Sequence, residues 1–219
     1  MDDIKPKTII LANGYISDYN YIKSLLSDAP DDRYMIACDG GLRHCHMLGI
    51  CPNCIVGDLD SAPPELLANY KHVPLIKFPP EKDFSDLELA ISHAIEIGAC
   101  SIEILGALGG RIDHQLANIH VVAASPVPAV LRDENTFVKI IKSEFEPTIF
   151  YKNDGNILTL LPLTSTAEGI VTEGLKYPLK DESLPVGYAR GLSNVITDDH
   201  AIVSLKSGIL VAMQIVKGD

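Results

Sequence analysis

The stretch DFSDLELAISHAIEIGACSIEILGALGGRIDHQLANIHVVAA, Asp83 to Ala124, decides the fold. Leu87, Ala90, Ile91, Ala94 and Ile95 recur at spacings of three and four. Asp83 to Ile97 is therefore predicted to be a helix with one apolar face, stopped at Gly98. Ile102-Glu103-Ile104-Leu105 reads as a strand, and Ile112 to Ala124 as a second helix. Toward the N-terminus the same alternation recurs. Thr8 to Ala12 is an apolar, β-branched run ending at Asn13-Gly14, and Tyr34 to Cys38 is a second strand, stopped by Asp39-Gly40-Gly41. Leu42 to Leu48 is a short helix closed by Gly49, and Ile55-Val56 is a short strand running into Gly57-Asp58. Pro63-Pro64-Glu65 opens another helix, as proline does in a first turn. Strands alternating with helices predict an α/β, Rossmann-like domain with a mostly parallel sheet and flanking helices.

The pattern changes after about Asn135. Thr148-Ile149-Phe150-Tyr151, Ile157 to Leu161, Ala201 to Leu205 and Ile209 to Ile215 are short alternating runs punctuated by Gly and Pro. They predict an antiparallel all-β segment, a sandwich or small barrel. The expected domains are 1–135 and 136–219. No Ser-, Gly- or Pro-rich linker and no internal repeat is evident. A β domain this small is marginal alone and is expected to pack on the first domain or on a second subunit.

The chain has 219 residues, 47% of them hydrophobic, and a formal net charge of −11. There is no basic stripe of the kind that displaces counterions from nucleic acid, so nucleic-acid binding is not expected. Met1-Asp2-Asp3-Ile4-Lys5 lacks the basic start and apolar core of a signal peptide. No apolar run reaches the roughly 20 residues that span a bilayer. A cytoplasmic protein without membrane association is expected, its five cysteines reduced.

Four turns carry the chemistry: Cys38-Asp39-Gly40-Gly41, Gly57-Asp58-Leu59-Asp60-Ser61, Lys82-Asp83-Phe84-Ser85-Asp86, and Gly109-Gly110-Arg111-Ile112-Asp113-His114. Each follows a strand or lies close behind one. Open α/β sheets place ligands at the carboxyl ends of their strands, so the four could share a cleft. Crowded carboxylates repel unless a cation sits among them, and hard oxygen donors suit Mg²⁺ bound to substrate phosphates. The chemistry implied is metal-assisted transfer of a phosphate-containing group. In an extended turn Asp58 and Asp60 would point the same way and address one metal; as a plain turn, Asp60 or Ser61 would cap the next helix. Asp83 equally reads as a helix N-cap, with Asp86 in the first turn. Lys82 can meet a phosphate as a point charge, and Arg111 can fork onto phosphate oxygens beside a helix N-terminus.

Other chemistries fit poorly. Gly109-Gly110-Arg111 is neither a Walker loop nor a dinucleotide fingerprint. His44, Cys45, His46, Cys51 and Cys54 suggest zinc, but the Cys51–Cys54 pair has no second half at a typical distance. Ser125 and Ser165 lack the elbow context of a hydrolase nucleophile.

The order of the four turns resembles the thiamine pyrophosphokinase family. Glu173-Gly174-Leu175-Lys176-Tyr177-Pro178-Leu179 and Gly191-Leu192-Ser193-Asn194 extend the likeness to nearly the whole chain. The resemblance implies an α/β catalytic domain, a C-terminal β-sandwich, and a homodimer binding thiamine between the catalytic domain of one subunit and the sandwich of the other. It implies that Asp58, Asp60 and Asp83 hold Mg²⁺ with the ATP phosphates, and that Asp39 lies beside them. Lys82, Ser85 and Arg111 would contact the nucleotide, with Gly40, Asp86 and His114 on the same side. Asp113 would sit by thiamine or its hydroxyl; Tyr177, Ser193 and Asn194 would line the thiamine pocket. Ser85 stands where threonine is expected, and Tyr177 where some members carry tryptophan; either ring can stack on a cationic thiazolium. Two rivals remain: a diphosphotransferase acting on another small alcohol, such as a hydroxymethyl pterin, and a non-catalytic sensor of nucleotide or thiamine diphosphate.

Overall fold

A computed structural model describes residues 7–27, 33–59, 64–77 and 83–216. The chain forms two compact units, Met1–Glu134 and Asn135–Asp219. Among the described residues no helix is long and apolar enough to cross a membrane.

The first unit runs β1 (Lys7–Leu11), α1 (Tyr19–Ser27), β2 (Tyr34–Cys38), α2 (Leu42–Leu48), β3 (Cys54–Val56), α3 (Pro64–Asn69), β4 (Leu75–Ile76), α4 (Asp86–Glu96), β5 (Ser101–Leu105), α5 (Ile112–Ala124) and β6 (Ala129–Arg132). Its strands pair in the order β6-β5-β1-β2-β3-β4, every pairing parallel. After their first one or two residues, β1, β2 and β5 are buried at every position. That is why they read as continuous apolar runs: parallel strands are covered on both faces. Ile9, Leu11, Ala37 and Ile55 pack with Ile22 and Leu26 of α1 and Leu42, Cys45 and Leu48 of α2. The apolar stripe of α4, Leu87, Ala90, Ile91 and Ala94, is buried, and the helix packs on β1, β2 and β3.

α4 begins later than its periodicity predicts. Asp83 is not the N-cap: Ser85 is, and the helix starts at Asp86. Ser85 Oγ accepts from the Glu88 backbone N–H at 3.3 Å, while Glu88 Oε2 accepts from the Ser85 backbone N–H at 2.7 Å. This reciprocal box satisfies two helix-end donors, which Asp83 cannot do from two residues upstream. Ser85→Ala should cost roughly 1 kcal/mol, read as a lower thermal midpoint. Pro64 does open α3, and Gly49 ends α2 in the left-handed conformation at φ 71°.

The second unit contains β7 (Thr136–Lys142), β8 (Thr148–Tyr151), β9 (Ile157–Pro162), β10 (Thr166–Glu173), β11 (Lys180–Pro185), β12 (Asn194–Val195), β13 (His200–Ser204) and β14 (Ile209–Ile215). Strands pair antiparallel as β12-β9-β14-β7 and β11-β10-β13-β8. Leu158, Leu160 and Leu210 from the first set share a core with Phe150, Ile170, Ala201 and Val203 from the second. The unit is thus a sandwich. β10 escapes the sequence pattern because its register shifts between Ala167 and Ile170. Both side chains are buried although they lie three apart, and Gly169 between them has φ 65°. A bulge there breaks the alternation by which a strand is recognised.

Candidate active site

In the first unit the chain reverses direction at β1. It runs outward through β2, β3 and β4, then returns to pair β5 on the other side of β1. A crevice opens at the carboxyl ends of strands at such a switch point. The loops there are stitched together: Ala12 N–H donates to Leu105 O at 2.8 Å and Gly14 N–H to Gly106 O at 2.7 Å. A Cβ on Gly14 would lie 2.3 Å from Gly106 O, so only glycine allows that approach. The cleft has a volume of about 1170 Å³, and its lining includes Asn13, Asp39, Arg43, Asp86, Arg111 and His114.

Asp39 sits at the end of β2, buried and left-handed at φ 48°. It accepts from Asn13 Nδ2 at 3.3 Å. Gly57 presses on the same residue: a Cβ there would be 3.2 Å from Asp39 Cα. The turn bearing Asp58 therefore abuts the turn bearing Asp39. Leu59 is also left-handed, at φ 63°. At Leu59, therefore, the chain departs from the extended form expected of this turn. Non-glycine residues held in this region cost on the order of 1–3 kcal/mol each and cluster at functional sites.

Arg111 precedes α5 and forms a two-point pair with Asp113: Nε to Oδ1 at 3.1 Å and Nη2 to Oδ2 at 2.5 Å. Asp113 Oδ1 also accepts from the His114 backbone N–H at 3.0 Å. The hydrogen bond from Arg111, aided by that N–H, holds the Asp113 carboxyl down at about 2, and Arg111 is raised in turn. The folded value lies below the ordinary one, so the pair favours the folded state at higher pH. That contribution is lost as the pH falls toward about 2. Both groups are exposed, so solvent screening keeps it small.

His44 was legible only as a doubtful zinc ligand, yet it is buried against the cleft. Its Nε2 lies 2.9 Å from Gly14 O and its Nδ1 2.7 Å from the Tyr19 hydroxyl. A carbonyl only accepts, so Nε2 carries the proton and Nδ1 accepts from Tyr19. Burial lowers the His44 pKa, consistent with a neutral ring pinning the Gly14 turn. Burial likewise pushes the Cys45 thiol up to about 12. Cys54 is buried in β3, whereas Cys51 is exposed with its Sγ 3.3 Å from His72 Nε2. The five candidate zinc ligands do not converge, and among the described residues no three of His, Cys, Asp or Glu gather to hold a metal.

Of the other expected residues, Ser85 lines the cleft, but its hydroxyl also donates to Glu88 Oε2 at 2.7 Å. Gly40 packs on Asn13, where a Cβ would lie 2.1 Å from Oδ1. Asp83 is exposed just ahead of α4. Asp60 and Lys82 lie outside the described residues. In the second unit, Asn194 brackets Tyr177, accepting from its N–H at 3.1 Å and donating to its carbonyl at 2.7 Å. The Tyr177 ring is left exposed, with Lys176 Nζ 5.4 Å from its centroid. Ser193, at φ 55°, donates its N–H to Thr159 Oγ1 at 3.0 Å. Asn13 and Arg43 are cleft residues that the sequence reading missed. The available signal was a polar side chain at the carboxyl end of the first strand, read there only as a strand stop.

Comparison with known proteins follows the same division. Residues 25–130 match the family model described as thiamin pyrophosphokinase, catalytic domain. Residues 142–210 match thiamin pyrophosphokinase, vitamin B1 binding domain. A thiamine pyrophosphokinase of Bacillus subtilis is 27% identical over 213 residues, covering 95% of this chain and 98% of the relative. Thiamine pyrophosphokinase 3 of rice is 26% identical over 167 residues, 71% of this chain and 62% of the longer plant protein. The crystal structure of the Bacillus subtilis enzyme superposes with a TM-score of 0.83 at 24% identity, covering 97% of this chain and all of that one. The Geobacillus thermodenitrificans enzyme gives 0.83 at 22%, covering 97% and 98%. These superpositions show a shared fold. The two family matches place the chain among the transferases. It belongs to the thiamin pyrophosphokinase family.

Proposed function

We propose that the chain transfers the pyrophosphoryl group of ATP to the hydroxyl of thiamine, giving thiamine diphosphate and AMP. The observation that carries this is the cleft at the switch point, which gathers Asp39, Asp86, Arg43 and Arg111 within the segment matching the catalytic domain. The thiamine oxygen attacks the β-phosphorus in line and AMP leaves; catalysis of this kind is mostly positioning and charge neutralisation. Asp58, Asp60 and Asp83 are the proposed holders of Mg²⁺. The Asp39 and Asp58 turns abut, and carboxylate oxygens are the donors that suit that ion. Bound there, it neutralises phosphate charge. Lys82, Ser85 and Arg111 contact the nucleotide, with Gly40 and His114 alongside. Tyr177, Ser193 and Asn194 face thiamine, and the working unit is a homodimer with thiamine held between a catalytic domain and the partner's sandwich.

Asp113 orients the thiamine hydroxyl. Even at its ordinary value a carboxyl is a weak proton acceptor near neutrality, so the contribution is mainly geometric. Asp113→Asn should lower kcat by roughly 10²-fold, the scale of a misplaced reactant, with little change in nucleotide affinity. An unchanged kcat would remove Asp113 from that role.

The test of the whole reading is to incubate the protein with thiamine, ATP and Mg²⁺ and separate the products. Thiamine diphosphate and AMP in equal amounts are expected. ADP with thiamine monophosphate would overturn the bond cleaved. No thiamine product, with nucleotide still bound, would move the assignment to another acceptor alcohol or to a sensor.

A further inference from the structure

The cleft must hold a polyanion if it binds a nucleoside triphosphate, and its cations are differently placed to do so. The guanidinium of Arg111 is closed on Asp113 by two hydrogen bonds. Arg43 is open. Among the described residues it makes one hydrogen bond, from Nη2 to Asn13 Oδ1 at 2.7 Å, and its side chain lines the cleft. A guanidinium has five N–H donors in a planar fork, so most of its donors remain available to a ligand.

The position of that fork is set by a relay. Asn13 Nδ2 donates to Asp39 Oδ2, which turns Oδ1 toward Arg43. The opposite amide orientation would set the NH₂ against the guanidinium and the oxygen against the carboxylate, so the chemistry of the neighbours selects this one. Asp39 is itself buried at the end of β2, and Gly40 leaves the room Asn13 needs. Neither flanking group is a surface ornament: both are anchored in the strand ends that form the switch point.

We propose that Arg43 is a further phosphate-binding residue of the nucleotide site, and that Asn13 is the positioning residue that aims it. The inference rests on the cleft being the nucleotide site. Arg43 keeps more of its donors for phosphate oxygens than Arg111, which has already given two to Asp113.

The test is equilibrium binding of a non-hydrolysable ATP analogue, and separately of AMP, with Mg²⁺ present. Arg43→Gln should weaken the analogue by roughly 10-fold, the scale of one charge-assisted contact. AMP should lose less, having one phosphate. Arg43→Lys should recover only part of the loss, because an ammonium cannot fork onto two oxygens. Asn13→Ala should shift the analogue in the same direction by less. In steady state, KM for MgATP should rise in Arg43→Gln while KM for thiamine holds. Circular dichroism and the thermal midpoint confirm that each variant is folded. Analogue affinity within twofold of the parent in a folded Arg43→Gln protein would overturn the assignment while leaving the transfer reading intact. A parent protein that binds neither analogue nor AMP would overturn both.

Discussion

Asp58→Asn should lower kcat/KM for MgATP by roughly 10²- to 10³-fold, with the protein still folded and its thermal midpoint close to that of the parent. The substitution keeps the shape of the side chain and removes its charge. Asp58 follows Gly57 at the end of β3, and Gly57 lies against Asp39. Two carboxyl-bearing turns therefore meet at one place, where the proposed Mg²⁺ would relieve their repulsion. Loss of one charged donor weakens ion and nucleotide together, so raising Mg²⁺ should restore part of the rate. The measurement is a Mg²⁺ titration of initial rate at fixed ATP and thiamine. Normal activity at ordinary Mg²⁺ would remove Asp58 from the proposed ligand set.

Gly41→Ala should destabilise the first unit by about 3 kcal/mol, or prevent its folding. The backbone of Gly41 is ordinary, at φ −57°, so conformational strain is not the reason. The added Cβ would lie 1.8 Å from Leu11 O and 2.7 Å from its carbon, a backbone group fixed in the central strand. β1 has to move, and the Asn13 turn moves with it. Gly49 is the contrast, left-handed at φ 71° with nothing within 4 Å of a Cβ. Gly49→Ala should cost only ~1 kcal/mol, from conformation alone. Urea unfolding of both variants separates the two causes. Equal, small losses would show that the strand can give way at Leu11.

The α/β half was legible because burial wrote itself into the sequence. β1, β2 and β5 are covered on both faces and read as unbroken apolar runs, and the period of α4 reports its single buried stripe. The β half was less so. β10 carries a glycine bulge, and β11, Lys180 to Pro185, has one buried side chain in six. Neither shows the alternation that marks a half-buried strand.

The four acidic and glycine-rich turns could be picked out from residue types and order, because phosphate and metal chemistry requires carboxylates, cations and close-approaching backbone. Which of them act together is a matter of strand order. The reversal at β1 brings Asn13, Asp39 and Gly106 to one crevice from positions far apart in the chain. Residue type also failed to show which partners each group takes. Ser85 lines the cleft and also completes a helix cap. Arg111 offers a phosphate fork of which two donors are given to Asp113. Arg43 looks like an ordinary position in a short helix and His44 like a doubtful zinc ligand, yet one is aimed by Asn13 and the other pins Gly14. Local sequence determined the elements and the chemical repertoire, because propensity and periodicity act within a few turns. Only tertiary structure decided which partners Arg43 and His44 take at the end of the first strand, because those partners lie 30 residues away.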